Sequence, residues 1–384
     1  GQGAVVNVGG LFAAAGNISD KDFQAGRYNF TGNEGRVENH GSINANTVAL
    51  IGKQVANYGT IVASQGTIVL AAGRDVFVGQ EGSQVYVQIP TDNGAADASV
   101  ENYGTLQAQE GRVLMSAGDA AGMAIFNSGL IQAAAIDIEG QGTGEVHIAG
   151  TLDASNQTGV GGSIVVTGER VGLFSANVDA SGRDGGGTIA IGGGLSGSAP
   201  DAQGNMRTAD YVYVSADSVV RSDAWGNGNG GLITFWGTDA ARIAGGVYAR
   251  GGLLGGNGGF IETSGGYIAL AAATDARARV AGGQAGMWLI DPNNLLVVAG
   301  AGNTNINAAD PFATTNDTAS LGVDLIVTAL GAGTAVSIST ATGGTNLQNG
   351  DITFDTNVVL NYAGAGTASL TDAAFVASRF RIAQ

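Results

Sequence analysis

Cysteine does not occur anywhere in this chain of 384 residues, and its absence excludes a disulfide framework, thiolate metal centres and cysteine nucleophiles. Lysine is confined to Lys21 and Lys53, and 16 basic residues face 32 acidic ones, for a formal charge of −16. Such a surface repels phosphate backbones and anionic headgroups, so neither nucleic acid nor a membrane surface is an expected partner. The acidic residues are spread without runs, as in a solvated coat that keeps a long molecule in solution. Histidine is limited to His40 and His147. No stretch approaches the roughly 18 uninterrupted apolar residues of a membrane span. No signal peptide opens the sequence either: Gly1-Gln2-Gly3-Ala4 leads directly into the strand-like Val5-Val6-Asn7-Val8, as if the chain began in mid-structure.

What is abundant is glycine, 67 residues, beside a hydrophobic fraction of 44% and only 4 prolines. That composition buries a core and is not a disordered Gly/Ser linker. Helical periodicity is almost absent. Short apolar or alternating runs recur at 47–51, 67–71, 85–89, 113–116, 163–167, 188–191 and 232–236, with glycine or asparagine between them, which is a strand-and-turn rhythm.

The recurrences share a signature. It reads Asn39-His40-Gly41-Ser42-Ile43-Asn44-Ala45, Asn57-Tyr58-Gly59-Thr60-Ile61-Val62-Ala63, Asn102-Tyr103-Gly104-Thr105-Leu106-Gln107-Ala108 and Asn127-Ser128-Gly129-Leu130-Ile131-Gln132-Ala133, with fainter copies ending in Ala154, Ala180 and Ala249. Asparagine and glycine suit a corner with φ > 0, followed by an inward aliphatic residue and a small alanine. If coils stack at the strand spacing of roughly 4.8 Å, identical positions superpose. Ile43, Ile61, Leu106 and Ile131 then form an aliphatic ladder inside the tube, and Asn39, Asn57, Asn102 and Asn127 an amide ladder at the corner. His40, Tyr58 and Tyr103 share a register beside it and are expected to stack outside. The spacing predicts coils in the low twenties of residues, about 17 of them, in a rod on the order of 80 Å long.

Two stretches break the rhythm and are expected as excursions from the coils. One is 11–36, where Ser19-Asp20-Lys21-Asp22-Phe23 reads as a capped helical turn and Arg27-Tyr28-Asn29-Phe30 as a hairpin strand. The other is the polar loop at 90–98. Glycine runs at 159–162, 185–187, 226–231 and 255–259 each precede a strand, a placement that argues for tight solenoid corners over phosphate-cradling loops. The expected division is 1–139, then Gly-rich repeats over 140–290, then coils of a changed type over 291–384. The fold class is all-β, a β-solenoid with short extra hairpins.

At these residues the sequence resembles the filamentous-haemagglutinin-type exoproteins of the two-partner secretion pathway. Gly3-Ala4-Val5-Val6-Asn7-Val8-Gly9-Gly10-Leu11, Asn17-Ile18-Ser19-Asp20-Lys21-Asp22-Phe23 and Val37-Glu38-Asn39-His40-Gly41-Ser42-Ile43 look like the later part of that family's secretion domain. Gly230-Gly231-Leu232-Ile233-Thr234-Phe235-Trp236, Gly258-Gly259-Phe260-Ile261-Glu262-Thr263-Ser264-Gly265 and Met287-Trp288-Leu289-Ile290-Asp291-Pro292-Asn293-Asn294 resemble segments of its giant members. The resemblance implies a right-handed parallel β-helix and export through an outer-membrane transporter to the surface or surroundings of a Gram-negative bacterium. It also implies a role in adhesion, aggregation or surface architecture. The family's amino-terminal cap and Asn-Pro-Asn-Gly segment are not in the sequence. Either that cap is processed away, or the sequence is an excerpt of a longer chain, or another copy covers the uncapped solenoid end in a head-to-tail self-association.

Candidate chemistry is sparse, and no catalytic, metal or cofactor-binding residue is expected. His40 occupies the position of Tyr58 and Tyr103, and His147 alternates with Val146 and Ile148, so stacking and an outward strand position are the expectations. The enzymatic alternative is a β-helix polysaccharide lyase, with Asp153, Asp179 and Asp223 at related coil positions aligning carboxylates on one face. Calcium between stacked aspartates lacks the Gly-Gly-x-Gly-x-Asp array. Four N-x-[ST] sites begin at Asn17, Asn29, Asn156 and Asn316, about what chance gives. No Arg-Gly-Asp triplet points to a receptor. The remaining alternative is a stalk carrying a binding or toxic tip.

Overall fold

Aliphatic side chains at one fixed position per coil set the pairing. In the computed structural model, which describes residues 1–81, 84–90, 97–118, 122–199, 206–302, 311–312, 318–340, 350–363 and 366–371, Ile43 lies opposite Ile61, Ile61 opposite Leu106, Leu106 opposite Ile131, and Ile131 opposite Leu152, all buried. The chain forms a parallel β-helix and divides into two compact units, Gly1–Ala154 with Ile164–Arg170, and Ser155–Ser163 with Val171–Gln384. Residue 139, the expected boundary, lies within the strand Leu130–Gly140 and within the first unit.

In the first unit three parallel ladders wall the core. One runs through Val5–Asn7, Ser42–Asn44, Thr60–Val62, the starts of Thr105–Ala117 and Leu130–Gly140, and Thr151–Asp153. A second joins Gly10–Ala14, Thr47–Gly52, Thr67–Ala72 and the ends of the same two long strands. The third stacks Arg36–Asn39, Gln54–Asn57, Ser99–Asn102, Gly122–Asn127 and Gly144–Ile148. Register is held because a slip of one residue would turn the aliphatic set outward.

The outer side of the second ladder is covered as well. Ala49, Ile51, Val69, Ala71 and Leu114 pack against Phe30, Val76, Val78 and Ile89, which belong to or adjoin an antiparallel sheet of Asn17–Ile18, Tyr28–Thr31, Val76–Glu81 and Gln84–Gln88. Strands buried on both faces read as unbroken apolar runs, as Val48-Ala49-Leu50-Ile51 does. The short helix Asp20–Gln24 is capped where expected, with the Ser19 hydroxyl accepting the Asp22 amide at 3.0 Å.

The excursions differ from the expectation in two places. Residues 10–14 stay in the coil, paired to Thr47–Gly52, so the first excursion begins only after them. The run 85–89, read as a coil strand, lies mostly in the covering hairpin. That hairpin also explains why 45 residues separate Asn57 from Asn102 although their strands are direct neighbours: one coil carries the insertion. Of the loop at 90–98, residues 91–96 lie outside the described ones.

The second unit repeats the plan. Thr188–Ile191, Leu232–Ile243, Phe260–Leu270, Met287–Pro292, Ala335–Ser339 and Ala368–Thr371 stack in parallel. Ile189, Ile233, Ile261, Trp288 and Val336 are superposed in the core. The fully buried Trp288 indole donates to the Thr263 hydroxyl at 3.1 Å, satisfying both inside an apolar core. Three of the four glycine runs close a corner whose last glycine donates back to the residue that opened it: Gly187 to Ala180, Gly231 to Ser222 and Gly259 to Ala249, each at 2.8 Å. Asparagines tie successive corners, the Asn257 amide donating to Asn229 Oδ1 at 2.8 Å and the Gln284 amide to Asn257 Oδ1 at 2.9 Å. The backbone amides of Gly230 and Gly258 donate to the carbonyls of Asn257 and Gln284, each at 3.0 Å.

Beyond Pro292 a third parallel set, Leu295–Val298, Ala319–Gly322 and Ile352–Phe354, continues the coil pattern. An α-helix, Val323–Ala332, stands among these strands and ends on Gly333 in the left-handed region at φ 93°. Its buried Val323, Ile326, Ala329 and Leu330 form a helical stripe that the sequence reading passed over, because a short β-branched run fits either period.

The signature glycines also act differently from the expectation. Neither Gly41, Gly59, Gly104, Gly129 nor the signature asparagines have positive φ. A methyl group on Gly59, Gly104, Gly129 or Gly150 would instead run into the carbonyl of the signature glycine one coil earlier. Close coil-to-coil approach is what demands glycine there.

Candidate functional site

The asparagine positions meet in one chain of amides inside the first unit. Asn39 Nδ2 donates to Asn57 Oδ1 at 2.8 Å, Asn57 Nδ2 to Asn102 Oδ1 at 2.9 Å, and Asn102 Nδ2 to Asn127 Oδ1 at 2.7 Å. Each also donates to the carbonyl of the glycine two residues on. Asn57, Asn102 and Asn127 are fully buried, where an unmatched amide would cost about 1–3 kcal/mol. The ladder therefore consumes its own polarity and offers nothing to a ligand.

Beside it, His40 stacks on Tyr58 with ring centres 4.7 Å apart and planes within 8°, and Tyr58 on Tyr103 at 5.0 Å and 5°. Phe126 tilts against Tyr103 at 52°. Both faces of Tyr58 are taken, by His40 and Tyr103, so stacking of an outside ring or sugar on Tyr58 is blocked. Arg36 donates to the Tyr58 hydroxyl at 3.1 Å. Each histidine pairs with the glutamate two residues before it, His40 with Glu38 at 2.9 Å and His147 with Glu145 at 3.1 Å. The His40 hydrogen bond holds the Glu38 carboxyl below its ordinary value. Arg170 binds Glu145 from the other side at 3.0 Å. Among the described residues no three histidines or carboxylates converge as a metal site would require.

The densest charge cluster lies in the second unit. Inward Val178, Val220 and Val247 fix the register, which sets Asp179 opposite Arg221 and Arg221 opposite Tyr248, with Asp275 next. Two residues along, on the same face, come Asp223, Arg250 and Arg277. Arg250 grips the buried Asp223 with Nε at 3.1 Å, Nη2 at 2.6 Å and its backbone amide at 2.7 Å. Its guanidinium lies 4.7 Å from the centre of the Tyr248 ring. Arg221 reaches Asp179 at 3.6 Å and Asp223 at 3.8 Å, and Arg277 reaches Asp275 at 3.4 Å. Arg279 donates to the carbonyls of Gly251 and Ala224.

This geometry corrects the carboxylate row. Asp179 and Asp223 do not share a position, since the partner of Asp179 is Arg221. Asp153 lies in the first unit and accepts from Gln132 at 3.0 Å. The likeness of Val178-Asp179-Ala180 to Ser222-Asp223-Ala224 misled because the inward valine, not the alanine, sets the register. What the sequence did offer was a pair of polar residues at i and i+2, Arg221 with Asp223 and Tyr248 with Arg250, on one strand face. The cluster is a checkerboard of ion pairs with its carboxylates occupied by arginine, which suits a register lock. Replacing Arg250 by methionine leaves a carboxylate that is 2% exposed with only the backbone amide and the more distant Arg221, and is expected to lower stability by about 2 kcal/mol, tempered by water reaching a partly open site. Thermal unfolding of the full chain reads it, and an unchanged Tm would remove the lock.

No helix among the described residues is long and apolar enough to cross a membrane. Residues 1–152 match the family model of the TPS secretion domain, the domain of two-partner secretion. No curated protein matches the chain. The fold is similar to the crystal structure of the HMW1 secretion domain from Haemophilus influenzae, at a TM-score of 0.56 and 25% identity over 76% of this chain and 77% of that one. The match spans the coils that hold the asparagine ladder: residues 1–152 are a TPS secretion domain, which with the likeness of fold supports a two-partner-secretion exoprotein of the filamentous-haemagglutinin and HMW1 type, secreted by Gram-negative bacteria through an outer-membrane transporter.

Proposed function

We propose that the chain is part of a structural and adhesive exoprotein whose stacked coils serve as a rigid spacer at the cell surface, and that it is not an enzyme. The observation that carries this reading is the self-satisfaction of its polar side chains. The asparagine ladder and the arginine–aspartate checkerboard spend their hydrogen bonds on neighbouring coils, which favours stiffness over reactivity at the described polar clusters. The lyase alternative loses its carboxylate row to the register of Asp179 with Arg221. Head-to-tail assembly fits the same plan, because in-register parallel ladders repeat one pairing pattern from strand to strand and a second copy can continue it. In this reading 1–139 serves secretion, and 140–290 and 291–384 extend the coils.

The test is expression of the full gene in a Gram-negative host with and without its outer-membrane transporter, followed by electron microscopy of the exported material and a reducing-sugar assay on acidic polysaccharides. The expected result is transporter-dependent export of elongated particles or filaments without polysaccharide cleavage. Compact particles, or release of reducing ends, would overturn it.

A further inference from the structure

The outer face of Leu232–Ile243 and Phe260–Leu270 carries Thr234, Trp236, Glu262 and Ser264, with Thr234 opposite Glu262 and Trp236 opposite Ser264. Residues 193–199 lie over it, just after Gly192, whose carbonyl accepts the Ala209 amide at 2.6 Å. They are fastened at three points. Thr234 donates its hydroxyl to the Gly193 carbonyl at 2.7 Å. The Trp236 indole lies against Gly193 and Gly197, where any side chain would collide with the ring. The Ser196 amide donates to both carboxyl oxygens of Glu262 at 3.1 Å each, and the Ser264 hydroxyl donates to one of them at 2.8 Å.

Two features make this fastening unusual. Glu262 is 1% exposed, yet among the described residues no arginine, lysine or histidine acts on its carboxyl, whose environment is set by burial, Ser196 and Ser264. Ser196 sits in the left-handed region at φ 54°, ψ 36° without being a glycine, a conformation with a cost of about 1 kcal/mol or more, and that turn aims its amide at the carboxylate. We propose that residues 193–199 form a proton-tightened clasp over Thr234, Trp236 and Glu262, which closes most firmly when the Glu262 carboxyl is neutral and loosens as it ionises.

The charged neighbours do not replace Glu262 in this role. From the next strand Asp291 stands opposite Ser264 and is itself buried. On Leu232–Ile243, Arg242 is turned to the Tyr267 ring and the Pro311 carbonyl, and Asp239 is exposed. Beside Ala209, Arg207 pairs with Asp210 at 3.3 Å. The covering residues 193–199 contain no titratable side chain. Burial outweighs the two hydrogen bonds and raises the Glu262 pKa in the closed state. Closure is thus fully stabilised below the ordinary glutamate range and weakens as pH rises through the raised value. An open clasp would bare the Trp236 ring beside a carboxylate and two hydroxyls.

Hydrogen exchange of residues 193–198 in the full chain, corrected for the intrinsic pH dependence of exchange, tests the clasp. Protection in the wild type is expected to fall by on the order of ten-fold between about pH 4 and about pH 8, while Glu262→Gln, always neutral, keeps high protection across that range. Ser264→Ala removes a hydrogen bond that favours the ionised form, so it is expected to move the loosening to higher pH. A flat wild-type profile, a Glu262→Gln profile that follows the wild type, or a Ser264→Ala transition that stays or moves down would overturn the proposal.

Discussion

Replacing Asn102 by leucine is expected to destabilise the first unit by about 3 kcal/mol, although leucine is near in size and more apolar. The site is fully buried. The substitution strands a hydrogen of Asn57 Nδ2 on one side and the Oδ1 of Asn127 on the other, and it removes a donor from the Gly104 carbonyl. Two buried groups without partners outweigh the gain of apolar contact, since each loses its water and receives nothing in return. Asn102→Asp separates polarity from charge. Its carboxylate still accepts from Asn57 but faces the oxygen of Asn127, so burial raises its pKa in the folded state. The variant is then most stable in acid and loses stability as pH rises through that value. Hydrogen exchange of the strands Gln54–Asn57 and Gly122–Asn127 locates the loss. An Asn102→Leu variant as stable as wild type would mean that the ladder contributes nothing.

Gly104→Val is expected to cost more, about 4 kcal/mol or above, and to prevent normal stacking of the coils on either side. Even the first carbon of a side chain would meet the Gly59 carbonyl and the Tyr58 backbone, and these are main-chain atoms held in a ladder. They move only if the coils part. The obstacle is coil spacing and not torsion, because the φ of Gly104 is not positive. Gly282, which has φ 83° and nothing within reach of an added methyl group, supplies the contrast. Gly282→Ala suffers backbone strain of about 1 kcal/mol, whereas Gly104→Ala suffers collision. Denaturation midpoints of the two alanine variants should therefore differ widely, and equal midpoints would refute the distinction.

The residues of the signature made the coil legible. Asparagine, glycine and an aliphatic residue at fixed offsets carry one repeated requirement, and four copies place Ile43, Ile61, Leu106 and Ile131 at one buried position. Less legible were features that depend on what covers a face. The run 85–89 alternates like a coil strand yet lies mostly in the hairpin that shields Ala49 and Val69. The unbroken apolar stretch 48–51 was the sign of that second covered face. Helix Val323–Ala332 escaped because its β-branched residues satisfy either period over so short a length. The Asp223–Arg250 pair joins residues 27 apart, and only the register of Val220 and Val247 puts them together. Glu262 gave no signal, since a lone glutamate in a strand pattern reads as solvent-facing until the clasp is seen above it.

The corner asparagines have a consequence for the chemical lifetime of the molecule. Asn229-Gly230 and Asn257-Gly258 are the dipeptide most prone to deamidate, because a following glycine lets its backbone nitrogen swing onto the asparagine amide carbon and close a five-membered imide. In these corners that swing is blocked. Each glycine N–H is held by a carbonyl of the next coil at 3.0 Å, and each asparagine Oδ1 is held by a backbone amide of that coil. Ageing at these sites must wait for a coil to open. A protein that works outside the cell is not repaired or replaced in place, so the contacts that keep its corners in register also slow its decay.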